Sequence, residues 1–593
     1  MSKLTKKIGF ILVLTLLCTA LVSCGDNVNN QQTTSPDTTV TPPISLEIIK
    51  DGTTDFVVCR PDETTENIVA ICQTLIGNIT TFTGANLTFK TDWLKPDVEP
   101  PAETLEILIG NTNRSETQQI LKDIKYNDYF IGVVGNKLVI VGGNDTATVS
   151  AVNYFIKNFL KEQNPTESSN GNLTMTSDNN YSYLYNYRID ALSCLDKSIN
   201  EYSIVIPADP SISEYRFAVE FKDYISRYVG YILPIKSDDE AETEYEILIG
   251  NTSRTNITVA DNEYKVNING TKLQILADNL FAYELLYNKI RDDIIPASED
   301  SISLTSLNSM SAIDTTNTCS ERTGDIRLLI NNVLGNCDTS IYPVPQRSQM
   351  LAELYLEYDP DVIGLQECSG NSRTSSASII NELEGYTEVF VTVTNSDNIN
   401  YTPLLYRADR LTLIDSGYYL YSDGENDRSK SITWAVFEVK STGKRFAVCS
   451  THFYWESDAN AARVLDATQL ISAINTINTK YNCPIFSGGD YNCISSTEPY
   501  QKLITAGYTD IQTIAKTTMN LKTTHSYPEF NTELGIYDVY YDISGTTYSN
   551  SIDHIFLAGN TSAVEVMEFR IINDKYALLS TDHTPLITDF NLK

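Results

Sequence analysis

Pro484-Ile485-Phe486-Ser487-Gly488-Gly489-Asp490-Tyr491-Asn492 decides how the C-terminal half of this chain folds. An apolar run leads into a Gly-Gly pair and ends on a carboxylate and an amide two positions apart. That reads as a buried strand, turned by glycine at its tip, which delivers polar side chains to one end of a sheet.

Working outward, five further segments have the same design. Asp325 to Leu334 (DIRLLINNVL) is an alternating strand that reaches Asn332, and Asp359 to Glu367 (DPDVIGLQE) is a turn and a buried strand ending on a carboxylate. Arg445 to His452 (RFAVCSTH) ends on a histidine, Ser551 to Phe556 (SIDHIF) carries Asp553, and Thr581-Asp582-His583-Thr584-Pro585-Leu586 closes the set. All four histidines of the chain, His452, His525, His554 and His583, fall at or beyond residue 452. Strand tips that end in Asn, Glu, His and Asp gather in one cleft, where they bring metal ligands and an acid/base together.

In order, LQE, TH, GDYN, ID and DH resemble the endonuclease/exonuclease/phosphatase superfamily, whose members include secreted DNase and inositol-phosphate phosphatases. The resemblance covers residues 325–593 and implies a four-layer α/β sandwich of the DNase I-like kind. It also implies a Mg²⁺-dependent phosphoester hydrolase, with Mn²⁺ as a substitute. On that reading Glu367, Asn332 and Asp582 serve the metal, and Asp490 orients or deprotonates the attacking water. Asn492 and His452 meet the phosphoryl group, and His583 is the acid/base held by Asp553. Tyr406 and His525 are candidate substrate contacts. His554 replaces an aromatic common after the Ile-Asp pair and should point away from Asp553, because side chains alternate along a strand. Asp466 stands where relatives often have Gln, and Trp434 is expected in the core.

The first half contains an internal repeat. Glu106-Ile107-Leu108-Ile109-Gly110-Asn111-Thr112 with Arg114 recurs as Glu246-Ile247-Leu248-Ile249-Gly250-Asn251-Thr252 with Arg254, and a hairpin pattern follows each copy. Two α+β repeat domains are expected, at 45–165 and 190–293, with polar connectors at 164–180 and 294–324. Gly110 and Gly250 end their strands in turns, and a ligand loop made of Asn-Thr and Arg is the alternative. A glycan or a surface protein is the partner such domains would take.

Residues 1–23 have three lysines, an apolar run and a small-residue site before Cys24, the layout of a lipoprotein signal. The expectation is export and anchoring on the outer face of the cell membrane through lipidated Cys24, with 24–44 as a disordered tether. The chain has 11 cysteines, for which Cys59 with Cys72, and Cys449 with Cys483 or Cys493, are candidate bridges.

Charge ranks the substrates. With 43 Lys+Arg against 76 Asp+Glu, the net charge of -33 disfavours sequence-blind binding to a phosphate backbone. A surface-anchored phosphodiesterase or phosphatase acting on a small molecule or lipid headgroup therefore ranks first. An extracellular nuclease ranks second, and a binding lipoprotein with a vestigial catalytic domain third.

Overall fold

The computed structural model describes residues 42–95, 98–99, 103–294, 300–335, 344–374, 378–425, 427–527, 530–531, 536–537 and 546–593. The signal segment, Cys24 and all but the last three residues of the tether lie outside them.

The repeat is visible as two six-stranded mixed sheets of identical connectivity. The first contains β1 (Val57–Arg60), β2 (Thr88–Thr91), β3 (Glu106–Ile109), β4 (Tyr129–Val134), β5 (Lys137–Gly142) and β6 (Tyr181–Tyr183) in the order β2-β1-β3-β5-β4-β6. The second contains β7 (Ser203–Ile206), β8 (Ile235–Ser237), β9 (Glu246–Ile249), β10 (Glu263–Asn269), β11 (Lys272–Ala277) and β12 (Met310–Ile313) in the order β8-β7-β9-β11-β10-β12. In each, four neighbouring strands run parallel. A helix, α1 (Glu66–Thr83) or its counterpart α3 (Ile212–Val229), makes the first crossover, and α2 (Asp145–Phe155) and α4 (Leu280–Lys289) follow the hairpins. This corrects the α+β expectation, since the helical crossovers make the parallel part α/β. Strands also enter both expected connectors: Leu173–Thr176 pairs with Ser45–Ile49, and β12 is the edge of the second sheet.

The repeated Glu and Arg are a buried clasp. Glu106 is fully buried and is held by Arg114 Nε at 3.1 Å and Lys90 Nζ at 2.7 Å; Glu246 is held by Arg254 Nη1 at 2.7 Å and Lys272 Nζ at 2.9 Å. Asp92 accepts from the backbone N–H groups of Asp62 and Asn113, and Asp238 does the same for Ala208 and Ser253. Each copy thus fills the crevice at its strand ends with its own carboxylate, where an α/β sheet would otherwise seat a ligand. The Arg residues of the ligand-loop alternative serve the clasp.

The third domain is a sandwich of two sheets. One contains β13 (Ile326–Asn332), β14 (Val362–Gln366), β15 (Tyr386–Glu388), β16 (Leu404–Arg407), β22 (Thr517–Thr518), β24 (Val564–Ile571) and β25 (Leu586–Leu592), ordered β15-β16-β14-β13-β25-β24-β22. The other contains β17 (Leu411–Leu420), β18 (Ser431–Val439), β19 (Arg445–His452), β20 (Pro484–Asp490), β21 (Thr509–Asp510) and β23 (Asp553–Gly559), ordered β17-β18-β19-β20-β23-β21. Leu328, Ile330, Val448, Phe486, Ile555 and Phe590 fill the space between them. Helices α5 (Val344–Tyr358) and α8 (Lys575–Ser580) cover the first sheet, and α6 (Asn460–Tyr481) and α7 (Glu498–Thr505) the second, giving four layers. The glycines of the deciding stretch have distinct uses. A Cβ at Gly488 would lie 2.4 Å from Ile330 on the facing sheet, and one at Gly489 would lie 1.8 Å from the Thr451 carbonyl of the next strand.

The second repeat domain rests on the helices of the sandwich. Ser213 Oγ donates to Glu353 of α5 at 2.6 Å, and Lys575 of α8 pairs with Glu220 at 2.8 Å. Among the described residues all eight cysteines are free and buried, against the expected bridges. Cys59 and Cys72 pack in different cores, because Cys59 follows Val58 on β1 and so faces the other side of its sheet. Cys449 lies opposite Ser487, four positions from Cys483 and six from Cys493, or roughly 13 Å and more along the strand, too far for a disulfide.

Candidate active site

Strand register assembles the site. His452, Asp490 and Asp553 are direct partners across β19, β20 and β23, so three polar side chains stand in a row at one sheet end. The facing sheet contributes the ends of β13 and β14, which are parallel and in register through Asn332 and Gln366. Glu367 follows in the left-handed conformation, with φ 56°.

Asn332 joins the two sheets. Its Nδ2 donates to Glu367 Oε1 at 3.1 Å and to Asp490 Oδ2 at 3.2 Å, so these carboxylate oxygens converge. Asp490 is buried, and its carboxyl is held above the usual range by burial first and by Asp553 second. Asp490 Oδ1 accepts the Asn492 N–H at 2.8 Å, which closes a tight turn with Asn492 left-handed at φ 48°.

His583 arrives from the loop after α8. Its Nδ1 lies 2.9 Å from Asp553 Oδ2, leaving Nε2 to face Asp490 at 3.9 Å. Thr523 Oγ1 donates to the same Asp553 oxygen at 2.7 Å, and Asn331 Nδ2 to the His583 carbonyl at 2.9 Å, so both partners are held. Burial alone would push the imidazole down, but Asp553, Asp582 and Asp490 outweigh it and hold it protonated well above its ordinary range.

His452 is the opposite case. Burial first, then Lys430 and His583, depress it well below its ordinary range, so the ring is neutral. Lys430 Nζ lies 2.8 Å from its Nε2, and Asn492 Nδ2 lies 3.2 Å from the same nitrogen. The other Asn492 amide hydrogen goes to the Phe453 carbonyl at 3.0 Å. Lys430 and Asn492 thus compete for the one lone pair of that nitrogen, and Asn492 is tied to the His452 loop through the Phe453 carbonyl.

Tyr406 is not brought to the cluster. It lies opposite Val362, at the end of β14 remote from Glu367, with its ring 5.2 Å from Phe437 in the inter-sheet core. His525 is brought close, its backbone N–H donating to the Asp582 carbonyl at 3.0 Å. His554 is fully buried on the outer face of its sheet, between Tyr548 Oη at 2.9 Å and the Cys493 carbonyl at 2.9 Å. Trp434 is in the outer core.

Two residues of the site escaped sequence reading. Lys430 is buried, and the signal was there, because β18 runs antiparallel to β19 and its first residues must lie beside His452. Thr523 stood two residues before His525 without a role.

The donor set suits a hard cation. Glu367, Asp490 and Asp582 supply carboxylate oxygens with Asn332 between two of them, and Asp582 Oδ1 is buried without a hydrogen-bond partner. Asp490, Asp553 and His583 also place one ligand atom each within 4.8 Å of one another. His583 and Asp553 already bond to each other, however, so Asp490 is the member of that trio best placed to share a cation with Glu367.

No family model matches the chain. A probable CCR4-Not complex 3'-5'-exoribonuclease subunit Ccr4 from Encephalitozoon cuniculi is 26% identical over 144 residues, which is 23% of this chain and 28% of that protein. The chain therefore matches less than a third of that relative's length. Among solved structures, the endonuclease/exonuclease/phosphatase from Bacteroides vulgatus is 21% identical, covering 45% of this chain and 99% of that one at a TM-score of 0.36. The mannosyl-6-phosphatase of Bacteroides thetaiotaomicron is 21% identical over 45% and 99% of the two chains, at 0.37. The human Nocturnin catalytic domain with bound sulfate is 18% identical over 46% and 96%, at 0.35.

Proposed function

We propose that the third domain hydrolyses phosphoesters of small molecules with the help of a divalent cation, Mg²⁺ first. The observation that carries this reading is the register-aligned row of His452, Asp490 and Asp553, with His583 clamped at 2.9 Å and the Glu367 and Asp490 oxygens drawn together by Asn332. A divalent ion held by Glu367 and Asp490, with Asp582 nearby, would supply Lewis acidity to a phosphoryl oxygen and acidity to a bound water.

The chain's own residues supply the rest. Asp490 accepts a hydrogen bond from the attacking water and orients it toward phosphorus. His583, protonated and fixed by Asp553, presents Nε2–H to the phosphoryl group and can give up its proton to a developing oxyanion. Lys430 stands beside the neutral His452, where burial pulls its ammonium below the ordinary lysine range and Glu367, Asp427 and Asp490 oppose that. It is the cation nearest His452, and His452 with Asn492 forms the wall against which the phosphoryl group sits.

A nuclease is the second reading, favoured by the partial match to a probable exoribonuclease subunit. The net charge of -33 weighs against it. We place the enzyme outside the cell, anchored through Cys24, which a chase with labelled fatty acid and a Cys24→Ala control would check.

A panel of phosphomonoesters, phosphocholine esters, plasmid and single-stranded DNA, run with Mg²⁺ or EDTA, tests the reading. Activity on a small ester, abolished by EDTA and by Asp490→Ala, is expected. Full metal-dependent activity in Asp490→Ala would remove the mechanism.

A further inference from the structure

Helix α5 covers the first sheet of the sandwich, and two of its buried side chains reach the main chain on which the site residues stand. Arg347, 2% exposed, donates through Nη1 to the carbonyls of Val333 at 3.0 Å and Ser580 at 3.1 Å, and through Nη2 to that of Leu334 at 2.9 Å. Tyr355, fully buried about two helical turns further on, donates its hydroxyl to Asn331 Oδ1, and Asn331 Nδ2 donates to the His583 carbonyl at 2.9 Å. The segment from Ser580 to His583 is therefore held at the carbonyl where it begins and at the carbonyl where it ends. Within it, Thr581 Oγ1 donates to the Asn332 carbonyl at 2.8 Å and accepts the His583 N–H at 3.2 Å.

Arg347 also reaches Asn332. Leu334 takes the left-handed conformation, φ 53°, which a residue with a Cβ rarely adopts. In it the Leu334 N–H donates to Asn332 Oδ1 at 3.0 Å. That bond sets which way round the Asn332 amide lies, and so turns Nδ2 toward Glu367 and Asp490. Arg347 holds the carbonyl of the same Leu334. A planar fork of N–H donors can serve two chain segments at once, which the point charge of an ammonium does not reproduce. Buried polar groups find partners in any fold, but these four acceptors, three carbonyls and Asn331 Oδ1, each lie within three residues of Asn332 or His583.

We infer that Arg347 and Tyr355 are positioning residues of the proposed hydrolase. From one helix they fix the Asn332 amide between its two carboxylates and the loop that carries Asp582 and His583, so that the metal side and the acid/base side move as one unit. Neither residue touches the substrate. The inference rests on the phosphoesterase reading above for its kinetic part alone.

Tyr355→Phe keeps the ring in the core and removes only the hydroxyl. On the best ester it should lower kcat about three- to tenfold and leave KM within about twofold. In a His583→Ala background the same change should alter kcat by less than about twofold, because the group it positions is gone. An equal loss in both backgrounds means general loosening and overturns the inference. Arg347→Lys should lower kcat about tenfold and raise the Mg²⁺ concentration for half-maximal activity about fivefold; an unchanged Mg²⁺ requirement removes Arg347 from the inference. A readout without turnover separates this from failure of the phosphoesterase reading. The chain has four histidines. In metal-free protein labelled with ¹³C at histidine Cε1, Tyr355→Phe should move or broaden the signal that His583→Ala removes, and leave that of His554 on the outer face in place. A moved His583 signal with no ester hydrolysed by wild type would keep the positioning and remove the hydrolase. Hydrolysis with an unmoved His583 signal would do the reverse.

Discussion

Replacing Asp553 with asparagine isolates what the clamp on His583 contributes. Asp553 can only accept, so it fixes the proton on His583 Nδ1 at 2.9 Å and leaves Nε2 facing Asp490. An asparagine has the same shape but can turn its NH₂ toward Nδ1, which moves the imidazole proton to the other nitrogen or leaves the ring without charge. The Coulomb attraction at 2.9 Å is about 6 kcal/mol at an effective dielectric constant of 20. That is a ceiling, because Asp582 and Asp490, each 3.9 Å from Nε2, remain to attract the ring. A hydrogen bond to a charged group is worth about 1.5–3 kcal/mol net, or roughly 10- to 150-fold in rate if it is needed only as the phosphoryl group reacts. Asp553→Asn should therefore lower kcat by that factor and leave KM within about threefold. The assay is steady-state kinetics on the best ester of the panel at saturating Mg²⁺, with folding checked by thermal melting. Thr523→Val, which removes the 2.7 Å support to Asp553 and leaves its charge, should cost less, about three- to tenfold. If Asp553→Asn kept kcat within twofold of wild type, or raised KM as much as it lowered kcat, the orientation argument would be wrong.

Lys430→Met should lower kcat/KM by at least about tenfold, with Lys430→Arg partly restoring it; equal activity of the Met variant would show that the charge beside His452 is not used. Arg327 pairs with Asp589 through two bonds of 2.7 and 2.9 Å, and both are buried, so Arg327→Met should cost about 3–5 kcal/mol in denaturant unfolding. The double change with Asp589→Leu should recover only part of that loss, because Arg327 also donates to the carbonyls of Cys319 and Tyr358, and Asp589 accepts the Thr323 N–H. At the seat of the second repeat domain, burial raises Glu353 to about 7, and its Oε2 has no hydrogen-bond partner. The folded chain then binds the proton more tightly than the unfolded one. The associated stability is complete below about pH 4.5 and lost as pH rises through about 7, by up to about 3 kcal/mol. Glu353→Gln should flatten that slope, and a melting profile between pH 5 and 8.5 that stays as steep as wild type would exclude Glu353 as its source.

The third domain was legible because its strands are buried on both faces and end in polar residues, so a linear pattern maps directly onto one end of a sheet. The His452–Asp490–Asp553 row follows from that mapping, and strand alternation alone turned His554 outward. Tyr406 was misplaced because its strand runs antiparallel to β14; sequence supplies residue type but not the direction in which a neighbouring strand arrives. Spacing likewise places the Asn492 amide at the site but does not show that the Phe453 carbonyl will take one of its hydrogens. In the first half, the repeated Arg could not be told from part of a ligand loop. Glu106 and Arg114 satisfy each other, but Lys90 and the carbonyl of Asp92, which complete the clasp, lie outside the repeated string.

Lys430 joins these two halves of the charge argument. A chain at -33 is poorly made for a phosphate backbone, and summed charge gives no reason to expect a cation at the centre of its site. Yet Lys430 stands beside the neutral His452, held below the ordinary lysine range by burial, which Glu367 opposes, and three carboxylates raise the His583 imidazole. Both cationic side chains thus border the place we propose for the phosphoryl group. The surrounding acids then act as a filter. On the proposed reading they leave the cleft able to hold one phosphate with a divalent ion, while Glu425, Asp427 and Glu456 near Tyr454 make its rim unfavourable for a second. A long polyanion would need that rim to be basic. The acidity that disfavours a phosphate backbone thus supports the proposed reading of a single phosphate ester, with selectivity set by repulsion outside the site as much as by attraction within it.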